Sequence, residues 1–168
     1  MGAMVAAHFD AVWRALKRLG VSPGGVDDAA QEVFIVADRK LAEIEVGRER
    51  AYLMGVAVRV ASDARRAARR RGEIPIDAAP EAGGDMEPAA GGGAEDALDQ
   101  RRLRDALAAL LARMPDEMRE TFVLFEIEEL NASEVAGALG IPVGTVASRV
   151  RRARDFIRER LPREKEMP

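Results

Sequence analysis

Residues 72–96 read "GEIPIDAAPEAGGDMEPAAGGGAED" and divide the chain in two. The stretch holds three prolines and six glycines, with no aromatic residue and no base. It cannot bury enough apolar surface to offset the entropy of ordering it, so a flexible acidic linker is expected there. As a coil, its ~25 residues average roughly 25–30 Å end to end and reach about 80 Å at full extension. The 168-residue chain must therefore build two small folded units, one on each side of the linker.

Both units are expected to be helical. Apolar residues reach 48% of the chain but aromatics only 4%, and a core of Ala, Leu, Val and Met suits packed helices better than sheets. The fold class is all-α, with small domains at residues 4–71 and 97–163 joined by the linker 72–96. In the first, Val5, Phe9, Val12, Trp13, Leu16 and Leu19 recur at helical spacing before "GVSPGG" ends the helix. A second helix carries Ala30, Val33, Phe34, Ala37 and Leu41. A third, from about Glu49, carries Leu53, Val56, Ala57, Val60, Ala64 and Ala67. In the second domain Leu103, Leu107, Leu110, Leu111 and Met114 define a helix. Pro115 then opens one that buries Met118, Phe122 and Phe125.

Net charge is only −3, but it is distributed in blocks. Residues 48–71 hold eight arginines against Glu49 and Asp63. Residues 72–99 hold eight acids and no base. Residues 116–134 hold seven acids against Arg119, and 143–163 seven arginines against Asp155 and Glu159. Basic stripes of this kind suit phosphate, although a charge run is commonly just a solvated face. The alanines of "DARRAARRR" leave its arginines room to reach outward.

The segment "NASEVAGALGIPVGTVASRVRRA" has the spacing of a helix-turn-helix. Asn131 is placed as an N-cap with Glu134 completing a capping box. Ala136 is small where two helices cross, and Gly140 suits the left-handed turn. Val146 packs the second helix back on the first. Val150, Ala153, Ile157 and Leu161 continue the buried stripe, while Thr145, Ser148, Arg149 and Arg152 share the opposite face. Short hydroxyls and arginines on the first half of such a helix suit a major groove. An ordinary helical hairpin with a solvated basic face is the plain alternative.

Residues 103–161 strongly resemble region 4 of bacterial sigma factors, above all through "GIPVGTVASRVRRAR". Independently, "DDAAQEVFIVADRKL" resembles region 2.2, and "RAYLMGVAVRVASDARRAARRR" resembles regions 2.3 and 2.4. With two such regions in order and a short linker, the chain resembles an extracytoplasmic-function sigma factor of the sigma-70 family. The resemblance implies a transcription initiation factor that binds core RNA polymerase and directs it to promoters through −10 and −35 elements. It implies core-polymerase contacts by Asp28, Gln31, Glu32 and Phe34, on the clamp of the largest subunit. Asp28 read instead as a helix cap, and Phe34 as a core residue, remain open. The −10 element would be met by Tyr52, Arg59, Arg65, Arg66, Arg69 and Arg70. Tyr52 stands where the family usually has Trp, and could equally be a core residue; Arg59 stands where many relatives have Asn. The −35 element would be met by Thr145, Ser148, Arg149, Arg151 and Arg152. The acidic "DEMRETFVLFEIEE" would face the polymerase flap or an anti-sigma factor, a further partner the family implies.

Three departures from the family pattern stand in the first domain. Ala29 and Ala30 replace larger aliphatics, Asp38 replaces a common aromatic, and the loop "AEIEVGRER" lacks one. A sigma mimic, which sequesters an anti-sigma factor without working at promoters, is the alternative reading; such mimics tend to lose the basic recognition face present here. A conventional repressor would not need "DDAAQEVF" in a second unit. Enzyme chemistry has little to stand on: His8 is the sole histidine, cysteine is absent, and no glycine-rich phosphate loop or catalytic acid pair is apparent. No catalytic residue, metal or cofactor is expected. The absence of cysteine, of a run near 20 apolar residues and of a signal-peptide core points to the cytoplasm, without membrane insertion.

Overall fold

The computed structural model describes residues 2–72 and 94–160, with side chains of the second stretch from residue 100 onward. Most of the expected linker, and Leu161 of the expected stripe, lie outside the described residues. Every regular element among those described is helical. The first group comprises α1 (Gly2–Arg18), α2 (Val26–Arg39) and α3 (Glu49–Arg70). The second comprises α4 (Ala94–Arg113), α5 (Asp116–Phe122), α6 (Ala132–Leu139) and α7 (Val143–Arg160). Residues 94–96, expected in the linker, form the start of α4.

The apolar stripes place the core as the periodicity requires. Val12, Ala15 and Leu16 of α1 are buried, as are Ala30, Val33, Phe34 and Ala37 of α2. Ala29 and Ala30 are both buried, where small side chains let the helices approach closely. On α3, Leu53 through Val58 are all buried. A helix hides six successive residues only when it is covered on more than one side. Here α1 and α2 cover one side of α3, and α6 lies against another. Gly55 makes that second approach possible, since a Cβ there would lie 3.3 Å from Cα of Ala138. The buried residues of both helical groups consequently form one continuous cluster.

Several expected core positions lie outward instead. Leu41 falls in a 3-10 turn after α2 and is 37% exposed, and Leu103 on the first half of α4 is 65% exposed. Pro115 stands at the cap of α5, one residue before its first turn. Beyond α5 the chain continues as a π-helical segment over Val123–Ile127. Glu129 then takes a left-handed conformation, φ 54°, and releases the chain toward α6.

The turn between α6 and α7 is built as expected. The Asn131 side chain accepts from the Glu134 amide at 3.0 Å, and Glu134 accepts from the Asn131 amide at 2.9 Å. Gly140 closes α6 at φ 65°, and Pro142 carbonyl accepts from Thr145 and Val146 to start α7. Val146, Val150 and Ala153 are buried. Asn131→Ala is expected to cost about 1 kcal/mol through the lost cap. Gly140→Ala, with open space around the added methyl, is expected to cost about 1–2 kcal/mol through backbone strain alone. Urea midpoints of the full chain check both.

Candidate nucleic-acid interface

The outer face of α7 presents the expected groups unequally. Arg151 and Arg152 are exposed and belong to no ion pair among the described residues. Thr145 and Ser148 are half-buried, and the Ser148 hydroxyl donates to the Thr145 carbonyl at 3.0 Å. Arg149 is drawn inward: its side chain is 14% exposed, and Nη2 lies 2.7 Å from Oε2 of Glu117 on α5. A second tie joins α7 to the π-helical segment that follows α5, where Arg154 Nε lies 2.6 Å from Oε1 of Glu126. Of the five expected groups, then, two face solvent and Arg149 reaches it only in part.

On α3, Arg59, Arg66, Arg69 and Arg70 are exposed. Tyr52 is half-buried and shares an open cleft of about 400 Å³ with Arg48, Arg59 and, across from them, Ser133, Glu134 and Gly137 of α6. Arg66 holds Asp63 at 2.6 Å. Arg65 corrects the expectation of an outward phosphate contact. It is 3% exposed, and its guanidinium donates to the Leu19 carbonyl and to Glu120 Oε1, the latter at 2.8 Å. Gly20, at φ 89°, leaves room beside it for the Arg65 and Arg119 side chains.

Asp28, Gln31 and Glu32 are exposed at i, i+3 and i+4 on α2 and so share one patch. Asp28 is not a helix cap, because α2 starts at Val26 with Gly25 at its N-cap. Of the two readings of Phe34, the core placement is the one seen: it is 7% exposed and stacks with Phe9, centroids 6.2 Å apart. Nearby, Trp13 Nε1 donates to Asp27 at 2.8 Å and ties α1 to α2.

Three carboxylates that the sequence reading did not single out join the two groups. Glu128, 3% exposed, gives one oxygen to Arg18 Nη1 at 2.9 Å and the other to Arg50 Nη2 at 3.0 Å. Glu120 and Asp116 meet Arg65, and Asp116 also meets Arg69 at 3.4 Å and Arg119 at 2.5 Å. The available signal was the opposite sign of the blocks 48–71 and 116–134. Burial pushes the Arg119 pKa down, helped by neighbouring Arg65 and opposed by Asp116 and Glu120. Burial raises that of Asp116, but Arg65, Arg119 and Arg69 together outweigh it and hold the carboxyl below its ordinary value of 3.8.

Two helical units, one carrying a helix-turn-helix with exposed arginines and the other an arginine-studded helix, define a DNA-binding class of protein. Comparison with known proteins gives the family. The Sigma-70 region 2 family matches residues 4–71 and the Sigma-70, region 4 family residues 104–157. The chain is 34% identical over 158 residues to the ECF RNA polymerase sigma factor SigE of Mycolicibacterium smegmatis, covering 94% of this chain and 60% of that protein. It is 32% identical to the ECF RNA polymerase sigma-E factor of Escherichia coli over 82% of this chain and 74% of the relative. It is 31% identical to the RNA polymerase sigma factor CnrH of Cupriavidus metallidurans, over 91% and 82%. The chain belongs to the extracytoplasmic-function sigma factors of the sigma-70 family, a family of transcription initiation factors. Its fold is similar to RpoE of Bartonella quintana, solved with the anti-sigma factor NepR (TM-score 0.70, 22% identity, 95% of this chain and 96% of that one). It is also similar to CnrH solved with the cytosolic domain of CnrY (TM-score 0.65, 26% identity, 94% and 84%). No helix among the described residues is long and apolar enough to cross a membrane.

The lowered Asp116 pKa gives a pH test. A carboxylate whose folded pKa is depressed contributes stability that is present above its unfolded value and lost as pH falls through the folded one. Asp116→Asn is therefore expected to destabilise the chain at pH 7. The gap from wild type should narrow once pH drops below 3.8. Denaturant titrations between pH 7 and 3 check it, and a gap constant to pH 3 would contradict the assignment.

Proposed function

We propose that residues 4–71 bind core RNA polymerase and the −10 element, that residues 97–163 bind the −35 element, and that 72–96 tethers them. The helix-turn-helix of α6, Gly140 and α7, with Arg151 and Arg152 exposed on α7, is the observation that carries this reading. The exposed patch of Asp28, Gln31 and Glu32 docks on the clamp of the largest subunit, with Phe34 shaping it from beneath. Tyr52 and Arg59 meet separated bases at −10, while Arg66, Arg69 and Arg70 hold backbone phosphate. Extruding a base costs a few kcal/mol and is offset by stacking in a pocket.

At −35, Thr145 and Ser148 sit near the start of α7, and Arg149, Arg151 and Arg152 supply guanidinium forks. Arginine makes paired bonds to guanine O6 and N7, and phosphate contacts fix the register. The protein acts in the cytoplasm with core polymerase, including its flap, and an anti-sigma factor is its expected regulator, as the solved complexes of RpoE and CnrH support by likeness. The mimic reading is less well supported, since an exposed Arg151 and Arg152 have no use in it.

In vitro transcription tests the reading: core polymerase from the source organism should give a defined transcript only when this protein is added. A chain that neither supports a transcript nor associates with core would favour the mimic. Within a working system, Arg149→Ala or Arg152→Ala should each cost about 1–3 kcal/mol of discrimination between matched and mismatched −35 duplexes. Arg66→Ala and Arg70→Ala should instead weaken all sequences alike, each lowering the salt slope of binding by about one. Binding isotherms at several salt concentrations separate the two patterns.

A further inference from the structure

Arg149 is held differently from its neighbours on the outer face of α7. Arg151 and Arg152 are exposed, whereas the Arg149 side chain is 14% exposed and its Nη2 lies 2.7 Å from Oε2 of Glu117. The Arg149 Nε is buried and has no hydrogen-bond partner among the described residues, so that edge of the guanidinium faces the protein. Glu117 stands in the first turn of α5, and its side chain is 73% exposed. An ion pair with so exposed a carboxylate adds little to stability. The helix dipole favours an acid in a first turn, but it does not account for an arginine reaching across from α7 to meet that acid.

The larger effect of the pair falls on the arginine. Arginine reads guanine through two parallel N–H groups, and its planar fork must be aimed at the base edge to do so. A guanidinium carries several N–H donors, so the buried Nε and one carboxylate contact leave the remaining Nη hydrogens for a base. We propose that Glu117 is a positioning residue for −35 recognition: from α5 it fixes the plane of the Arg149 guanidinium, so that its outer edge meets a base pair in the major groove. The inference rests on the −35 assignment for α7. Arg152, with no ion pair among the described residues, keeps its rotamer freedom until DNA orders it. The same Glu117 carboxylate is a negative charge beside the DNA-facing surface and repels phosphate whatever the sequence. Glu117 therefore weakens binding to DNA in general while sharpening the choice at one base pair. Its removal moves affinity and specificity in opposite directions, which a loss of fold would not do.

The test uses holoenzyme reconstituted from core polymerase and the full chain, wild type or variant. Each holoenzyme selects from promoter fragments whose −35 positions are randomised, and the retained fragments are sequenced. Arg149→Ala should flatten the preference at one base pair by about ten-fold. Glu117→Ala should weaken the preference at that same base pair by about three- to five-fold and leave the others unchanged. Glu117→Gln, which keeps an accepting oxygen, should do less. In the Arg149→Ala background, Glu117→Ala should change that preference no further. The total DNA retained by Glu117→Ala should rise about two-fold at low salt and return to the wild-type level at high salt. Circular dichroism establishes that each variant keeps its helices. A Glu117→Ala holoenzyme with every −35 preference intact overturns the proposal. Equal weakening at all positions with less DNA retained also overturns it, since that pattern belongs to a merely structural residue. If Arg149→Ala itself leaves every preference unchanged, the −35 assignment of Arg149 is what fails, and the proposal falls with it.

Discussion

Charge is expensive to remove from water unless it meets an opposite charge and its hydrogen bonds are met, and the join between the two helical groups is built around that constraint. Glu128 is almost fully buried and has an arginine on each oxygen. Arg65 is buried with carboxylates on one nitrogen and a carbonyl on another. Remove one member and the remainder is a stranded ion, at a cost of roughly 3–5 kcal/mol for a fully buried pair. Apolar contact alone tolerates sliding, whereas these pairs fix how α5 and the π-helical segment sit on α1 and α3. The close passage of Ala138 over Gly55 then follows from the register so imposed.

The same constraint explains which parts of the fold were legible in the sequence. Helix positions were readable because they depend on local spacing: α3 begins at Glu49 as expected, and the buried residues of α1, α2 and α7 fall on their apolar stripes. The Asn131 capping box and the left-handed Gly140 were readable for the same reason, since three or four neighbouring residues decide them. Arg65 was not. Its neighbours in "DARRAARRR" make it look like any other outward arginine. Only the arrival of Asp116 and Glu120, some fifty residues later, turns it inward. Leu41 and Leu103 fail in the opposite sense, being apolar at helical spacing but placed where no other element covers them.

The candidate site divides along the same line. The turn and the face of α7 followed from spacing, and Arg152 lies where the pattern puts it, with Arg151 exposed beside it. Arg149 shares that face by periodicity, yet Glu117 of α5 draws it aside, a contact between two helices that no single helix pattern contains. On α2, Asp28, Gln31 and Glu32 were singled out by the family resemblance and share one exposed patch, while Phe34 lies in the core, as its place on the apolar stripe of α2 allowed. The acidic block was visible as a charge run, but its facing partner was not. Opposite sign in two distant blocks permits their contact without distinguishing it from contact with another protein.

Ion pairs also set how the arginines of α3 and α7 are held. Arg151 and Arg152 face solvent, whereas Glu117 draws Arg149 aside and Asp116 reaches both Arg65 and Arg69 of α3. Parting the two helical groups would break the Glu128, Glu120 and Asp116 pairs and expose the apolar contact around Gly55 and Ala138 together. Stranded buried ions and uncovered apolar surface both oppose that separation, so the charged and apolar parts of the join reinforce one another.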